Sequence, residues 1–171
     1  MVRKVEVVPH NPQWRKAFDS ESQEVSRVLG KNVAAVHHIG STAIPHIYAK
    51  PIIDLLIEVK EIAKVDQNNR AMQRLGYTAM GEYGIPGRRY FYRNNELGIR
   101  LYHVHIFEKQ SPEVKRHLAF RDYLIAHPEE AQQYSELKRE LAKKYVNNLN
   151  GYMDGKDSFI QEIDRKAAEW L

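Results

Sequence analysis

The sequence predicts an α+β fold: a mixed β-sheet core with flanking helices, followed by a helical C-terminal region. Three observations carry that expectation. Branched and aromatic runs at 33–39, 51–59 and 89–93 read as strands. Asn94-Asn95-Glu96-Leu97-Gly98 separates two such runs as a hairpin turn does. From Ser111 onward, apolar residues recur at helical spacing and no further strand-like run interrupts them.

Val5 to Val8 opens the chain in extended form. Asn11-Pro12 then reads as an N-cap with proline at the first helical position. Trp14, Phe18, Val25, Val28 and Leu29 mark the inward stripe of a first helix, which Gly30 ends. Val33 to Ile39 is a strand, left through the Gly40-Ser41-Thr42 turn, and Pro51 to Val59 is a second strand. A helix is expected from Glu61 to Leu75, then a short strand from Tyr77 to Met80. Gly81, Gly84, Pro86 and Gly87 form a loop leading into a hairpin of Arg89–Arg93 and Ile99–Phe107. Ser111-Pro112-Glu113 starts a helix that His127-Pro128 breaks. A second run carries Tyr134, Leu137, Leu141 and Tyr145, and a third, Asp154 to Leu171, carries Phe159, Ile163, Ala167 and Trp170.

The 171 residues suit one domain, with the sheet core over about 1–110 and the helical part over about 111–171. The absence of cysteine excludes disulfides and thiolate zinc sites. No apolar run approaches membrane-spanning length and no apolar signal core opens the chain, so a cytoplasmic location without a membrane partner is the default expectation. A net charge of +4 mildly favours anionic ligands. The basic residues are interspersed with acidic ones, most visibly in the C-terminal helices. That pattern reads as a solvated mixed-charge surface, and nothing points to specific DNA recognition. The tyrosine-rich C-terminal helices can bury a homodimer face as readily as a core.

Asp54 stands out within Ile52-Ile53-Asp54-Leu55-Leu56-Ile57, because a carboxylate among branched apolar residues is costly to bury unless paired or bound to a cation. Alternation along the strand puts Ile53, Leu55, Ile57 and Val59 on a core face, and Ile52, Asp54, Leu56 and Glu58 on the other, ligand-facing side. The competing reading is a strand carboxylate satisfied by a neighbouring lysine or amide. His103 and His105 share one strand face, where two imidazoles can ligate one metal or serve as acid and base. The Gly40-Ser41-Thr42 turn can offer backbone N–H groups to a phosphate. Lys50, held extended before Pro51, can neutralise phosphate or pair with Asp54. Arg88 and Arg89, beside Arg93 and the Tyr90-Phe91-Tyr92 strand, can grip phosphate bidentately or simply solvate a hairpin. Of the histidines crowding the turn, His37, His38 and His46, only His38 is carried forward as a candidate.

Four segments together resemble the GrpB family: His38-Ile39-Gly40-Ser41-Thr42-Ala43-Ile44-Pro45, Lys50-Pro51-Ile52-Ile53-Asp54, Gly84-Ile85-Pro86-Gly87-Arg88-Arg89-Tyr90-Phe91 and His103-Val104-His105. Phe120-Arg121-Asp122-Tyr123-Leu124 and Lys156-Asp157-Ser158-Phe159-Ile160 extend the resemblance over nearly the whole chain. It implies a nucleotidyltransferase-like core in a mostly uncharacterised bacterial group, some of whose members are fused to dephospho-CoA kinase. In active members of that superfamily a Gly-Ser turn holds nucleotide phosphates. Two carboxylates two residues apart on the next strand hold Mg²⁺, and a third acid on a later strand completes the site. Gly40-Ser41 and Asp54 match; Leu56 stands at the second carboxylate position, and His103 and His105 stand where the later acid is expected. Glu58, four residues along, is roughly 13 Å from Asp54, too far to share its ion.

The expected cofactor is therefore a divalent metal on Asp54, His103 and His105. Mg²⁺ or Mn²⁺ is the choice by superfamily, whereas Mn²⁺, Fe²⁺ or Zn²⁺ suits the ligand types better. The expected partner is a nucleotide or other phosphate-bearing small molecule. Three functions compete: nucleotidyl or phosphoryl transfer, a nucleotide- or anion-binding module that has lost its chemistry, and an interaction domain.

Overall fold

A computed structural model describes residues 4–170. The chain forms two compact units, each assembled from separated segments. One comprises Pro12–Ile39 and Ile52–Lys115; the other comprises the segment ending at Asn11, Gly40–Pro51 and the chain from Arg116 on.

The first of these units is built on a five-stranded sheet: β1 (Val33–Ile39), β2 (Ile53–Val59), β3 (Tyr77–Ala79), β4 (Arg89–Asn94) and β5 (Arg100–Glu108), in the order β1-β2-β5-β4-β3. Only β2 and β5 run parallel; the other neighbours are antiparallel. β2 lies between two partners, and its side chains are buried on both faces: Ile53, Leu55, Leu56, Ile57 and Val59 are at most 4% exposed. The ligand-facing side expected for Asp54 is therefore more closed than alternation alone suggests, since Leu56 on that side is completely covered.

Helix α1 (Gln13–Leu29) belongs to the same unit, and its stripe of Trp14, Phe18, Val25 and Leu29 is buried as its spacing predicts. Gly30 ends it at a φ of 62°, a conformation glycine adopts without strain. The stripe also holds Glu21, only 7% exposed, which periodicity did not flag. The Tyr77 hydroxyl donates to Glu21 Oε1 at 2.8 Å and Arg93 Nη1 donates to the same oxygen at 2.7 Å. A buried carboxylate thus ties α1 to β3 and β4.

The continuous helix expected from Glu61 to Leu75 is not formed. Residues Ile62–Asn68 wind as a 3₁₀ helix, and only Asn69–Arg74 is α-helical (α2). Val65, Asp66 and Asn68 are weak helix formers, and side chains compete for the backbone here. Asn32 clamps both backbone groups of Glu61 at 3.0 Å, and Asn68 Nδ2 donates to the Val28 carbonyl at 3.2 Å.

The other unit is helical: most of α3 (Pro112–Ala126), then α4 (Pro128–Lys144) and α5 (Leu149–Trp170). Ile44 and Ile47 of the Gly40–Pro51 segment share its core with Ala119, Tyr123, Leu124, Ala131, Tyr134, Ile163 and Ala167. The Tyr48 N–H donates to the buried Ser135 Oγ at 2.8 Å, and Val8 bridges to Ala49. α5 starts five residues before the expected Asp154, because Asn148 Oδ1 accepts the Gly151 N–H at 2.9 Å and caps the added turn. Gly155 is tolerated inside the helix for want of space: a Cβ there would lie 2.5 Å from Leu141 Cδ2 of α4. Leu171, assigned to this helix from sequence, lies outside the described residues.

Lys138 and Lys156, on helices read as a solvated mixed-charge surface, are instead buried at 1% and 9% exposure. Tertiary burial overrides the local charge pattern at these two positions. Among the described residues no helix is long and apolar enough to cross a membrane.

Removing the buried carboxylate tests the α1 anchor. Glu21→Ala should lower unfolding stability in urea by about 2–4 kcal/mol, because it strands a half-buried guanidinium and a buried phenol. A loss below about 0.5 kcal/mol, typical of surface changes, would show that α1 is held by its apolar stripe alone.

Candidate functional site

Parallel pairing sets Asp54 opposite His103 and Leu56 opposite His105, and antiparallel pairing sets Tyr90 opposite His105 and Tyr92 opposite His103. Because alternation is strict within each ladder, Asp54, His103, His105, Tyr90 and Tyr92 gather on one face of three adjacent strands. His105 Nε2 is 3.1 Å and His103 Nδ1 is 3.3 Å from the same oxygen, Oδ1 of Asp54. The Asp54 side chain is 21% exposed, with His103 at 20% and His105 at 14%. Ligand atoms of the three residues lie within 4.8 Å of one another.

The outer nitrogen of each imidazole faces an arginine. Arg100 Nη1 is 3.0 Å from His103 Nε2, and Arg88 Nη1 is 3.4 Å from His105 Nδ1. Arg100 stacks 3.8 Å over the Tyr92 ring and its Nε donates to Asn94 Oδ1 at 2.8 Å. Arg88 lies 4.9 Å over the Tyr90 ring and donates to the carbonyls of Tyr83 and Glu82 at 2.8 and 3.1 Å. A guanidinium has no acceptor, so an imidazole nitrogen facing it carries the lone pair, and the proton sits on the nitrogen facing Asp54. Two neutral rings, each donating inward and accepting from outside, satisfy this pattern.

Charge states agree. Burial would raise the Asp54 carboxyl, but hydrogen bonds from His103 and His105 hold it well below the usual carboxylate range. Burial pushes His103 down from its ordinary value of 6.5 against the pull of Asp54, so the ring is neutral at pH 7. Burial also pushes the Tyr90 phenol up, keeping it a neutral donor.

The other candidates are distributed differently. Arg89 does not join the cluster: it pairs with Ile106 on the opposite face and holds Asp66 through two hydrogen bonds of 2.7 and 3.2 Å. Arg93 is bound to Glu21. Glu58 contacts His37 at 2.6 Å. His38, the histidine carried forward from the sequence, falls on the core face with Leu55 and stacks on Phe18 at 4.7 Å. Gly40, Ser41, Thr42 and Lys50 belong to the helical unit. Gly40 turns at a φ of 76° into a 3₁₀ turn, Ser41–Ala43, in which Thr42 is buried at 2% exposure. Lys50 Nζ lies 5.2 Å from the centre of the Tyr152 ring.

Arg100 and the stacking role of Tyr90 and Tyr92 were not foreseen. Arg100 stands three residues before His103 in sequence, but nothing local says that the guanidinium turns back onto the ring. The signal lies in the hairpin register, which pairs Asn94 with Arg100 after a bulge.

The family model described as GrpB protein matches residues 4–166. The chain belongs to the GrpB family. It is 46% identical over 168 residues to UPF0157 protein YqkA of Bacillus subtilis, covering 98% of this chain but 48% of that protein, so it spans about half of that relative's length. It superposes on the crystal structure of conserved protein GrpB from Enterococcus faecalis with a TM-score of 0.92 and 41% identity, covering 97% of this chain and 100% of that one. Terminal uridylyl transferase 4 from Trypanosoma brucei, solved with bound dUTP, aligns over 80% of this chain and 46% of its own with a TM-score of 0.53 and 9% identity. That likeness establishes a nucleotidyltransferase-like fold for this GrpB-family chain.

The tautomers are directly measurable. Nitrogen-15 correlation spectra at neutral pH should show His103 protonated at Nδ1 and His105 at Nε2, with His103 titrating below 6.5. The reverse tautomers would mean that the two arginines do not address the rings in solution.

Proposed function

We propose that this protein binds a phosphate-bearing ligand of the nucleotide class on the Asp54 face of its sheet, together with one divalent cation. The observation that carries this reading is the convergence of one carboxylate and two imidazoles beneath two arginines. The nucleotidyltransferase-like fold supports the ligand class. Asp54, His103 and His105 would hold the cation, and their donor set suits Mn²⁺, Fe²⁺ or Zn²⁺. A cation there would supply charge neutralisation and polarisation of a phosphoryl oxygen. Arg88 and Arg100 supply guanidinium donors matched to phosphate oxygens. We also assign phosphate cradling to the Gly40–Ser41 turn, on the chemistry of that turn alone.

The tautomers couple the two ligands. To accept a cation, each imidazole must move its inward proton to the outer nitrogen, which now faces a guanidinium donor. A phosphate group that draws Arg88 and Arg100 away from the rings removes that obstacle. Phosphate and cation therefore assist each other, and the arginines act as the gate.

A second reading is favoured by Leu56, which fills the second carboxylate position with a fully buried apolar side chain. Two-ion transfer needs cations about 4 Å apart held by several oxygens, and Glu58, the other carboxylate on this face of β2, is held by His37 at 2.6 Å rather than beside Asp54. In that reading the protein is a nucleotide-binding module without transferase chemistry, and turnover with Mn²⁺ and nucleoside triphosphates separates the two.

Mn²⁺ line broadening provides the test. Selective broadening of His103 and His105 should tighten about tenfold or more with ATP and disappear in Asp54→Asn. Arg100→Ala should strengthen Mn²⁺ binding without nucleotide and weaken the ATP effect. Absence of selective broadening under every condition would sink the cation, and broadening indifferent to ATP would sink the coupling.

A further inference from the structure

The loop from Gly81 to Gly87, between β3 and β4, carries a tyrosine where backbone and solvent both argue against one. Tyr83 adopts a φ of 46°, a left-handed conformation that is an outlier for a bulky side chain. Gly81, Gly84 and Gly87 take positive φ in the same loop, as their missing Cβ allows. Tyr83 is also 60% exposed, so its ring contributes little to the core. Strain held at an exposed aromatic position points to a ligand rather than to packing.

The loop fixes that ring beside the candidate site. The Ile85 N–H donates to the Glu82 carbonyl at 3.2 Å, and the Gly87 N–H donates to Glu82 Oε2 at 2.6 Å. The Tyr90 N–H donates to the Gly81 carbonyl at 2.8 Å, which fastens the start of the loop to β4. Arg88 Nη2 donates to the Tyr83 carbonyl at 2.8 Å, while Arg88 Nη1 faces His105 Nδ1 at 3.4 Å. One guanidinium therefore connects the backbone of Tyr83 to the Asp54 cluster. The Tyr83 ring stacks on Tyr90, with centroids 5.3 Å apart and planes 17° from parallel. Tyr90 in turn lies 5.4 Å from the His105 ring and 5.7 Å from that of His103. Tyr90 is 8% exposed, so the inner ring of the stack is covered and the outer one presents its surface to solvent.

We propose that Tyr83 is the base-stacking platform of this site and selects nucleotides over inorganic polyphosphates. This role rests on the phosphate-and-cation reading of the Asp54 face, to which it adds a place for the base. A flat ring, backed by a second ring, offers a π face that a nucleobase can cover. Arg88 links that platform to the imidazoles, so base and phosphate are addressed by residues of one loop. The platform reads a flat face and not a hydrogen-bonding edge, so it accepts purines and pyrimidines alike.

Calorimetric titration with Mn²⁺ present at neutral pH provides the test, with ATP, UTP, tripolyphosphate and adenosine as probes. Tyr83→Asn removes the ring but suits the left-handed backbone, so its melting temperature should equal or exceed that of wild type. It should weaken ATP and UTP by about tenfold or more and tripolyphosphate by less than about twofold, as the loss of one stacked base requires. Tyr83→Phe keeps the ring and should hold nucleotide affinity within about twofold of wild type. Equal losses of nucleotide and tripolyphosphate in Tyr83→Asn, with a lower melting temperature, would make the ring a structural support and overturn the platform. So would nucleotide affinity that Tyr83→Asn leaves unchanged. Tripolyphosphate reports on the phosphate reading and adenosine on the platform, so the two fail separately. Adenosine bound by wild type and lost in Tyr83→Asn, without any tripolyphosphate binding, would remove the phosphate reading and leave the platform as a nucleoside site. Binding of none of the four probes overturns both.

Discussion

The parallel pairing of β2 with β5 governs the chemistry of the sheet. Parallel neighbours require a crossover, and here it consists of the 3₁₀ segment, α2 and the strands β3 and β4. The pairing sets Asp54 beside His103 and leaves Leu56 beside His105. A slip of one residue would send Asp54 to the opposite face, among the side chains packed under α1. The apolar residues that flank Asp54 are therefore what fixes its register, and a strand so fully buried tolerates Asp54 because the imidazoles of His103 and His105 meet it.

The same geometry explains how imidazoles come to occupy acidic territory. The strand position two residues beyond Asp54 shares its face. Here that position is apolar, and the ring of its ladder neighbour His105 reaches Asp54 instead. The polar partner of Asp54 arrives from the side rather than from along the strand. Arginine outside and carboxylate inside polarise each ring in one direction, so the cluster behaves as a single hydrogen-bonded unit. Substituting either arginine by lysine would keep the charge but lose the planar group stacked on tyrosine.

Much of this was legible before folding. Asp54 announced itself by contrast with its neighbours, and His103 and His105 by a spacing of two, because both signals are local. The hairpin was legible for the same reason. The 3₁₀ segment was not, since Asn32 and Asn68 act on backbone groups remote in sequence. Glu21 looked like one more charge on a helix; only Tyr77 and Arg93 make it interior. Arg89 seemed equivalent to Arg88, yet one step along a strand carries it to the other face and to Asp66. Lys138 and Lys156 blended into helices dense in charge, and their burial is a tertiary fact that composition and local spacing do not disclose.

The segmented make-up of the two units bears on how the chain can be handled. The backbone passes between them four times, at 11/12, 39/40, 51/52 and 115/116. No single cut releases either one intact: a fragment ending near residue 115 keeps the sheet but carries the Gly40–Pro51 segment without its helical partners. The helical core must wait for Ile44 and Ile47 to meet residues about a hundred positions downstream, a long loop to close. During synthesis the sheet unit can therefore complete first, while the helical unit forms only after the last helix has emerged.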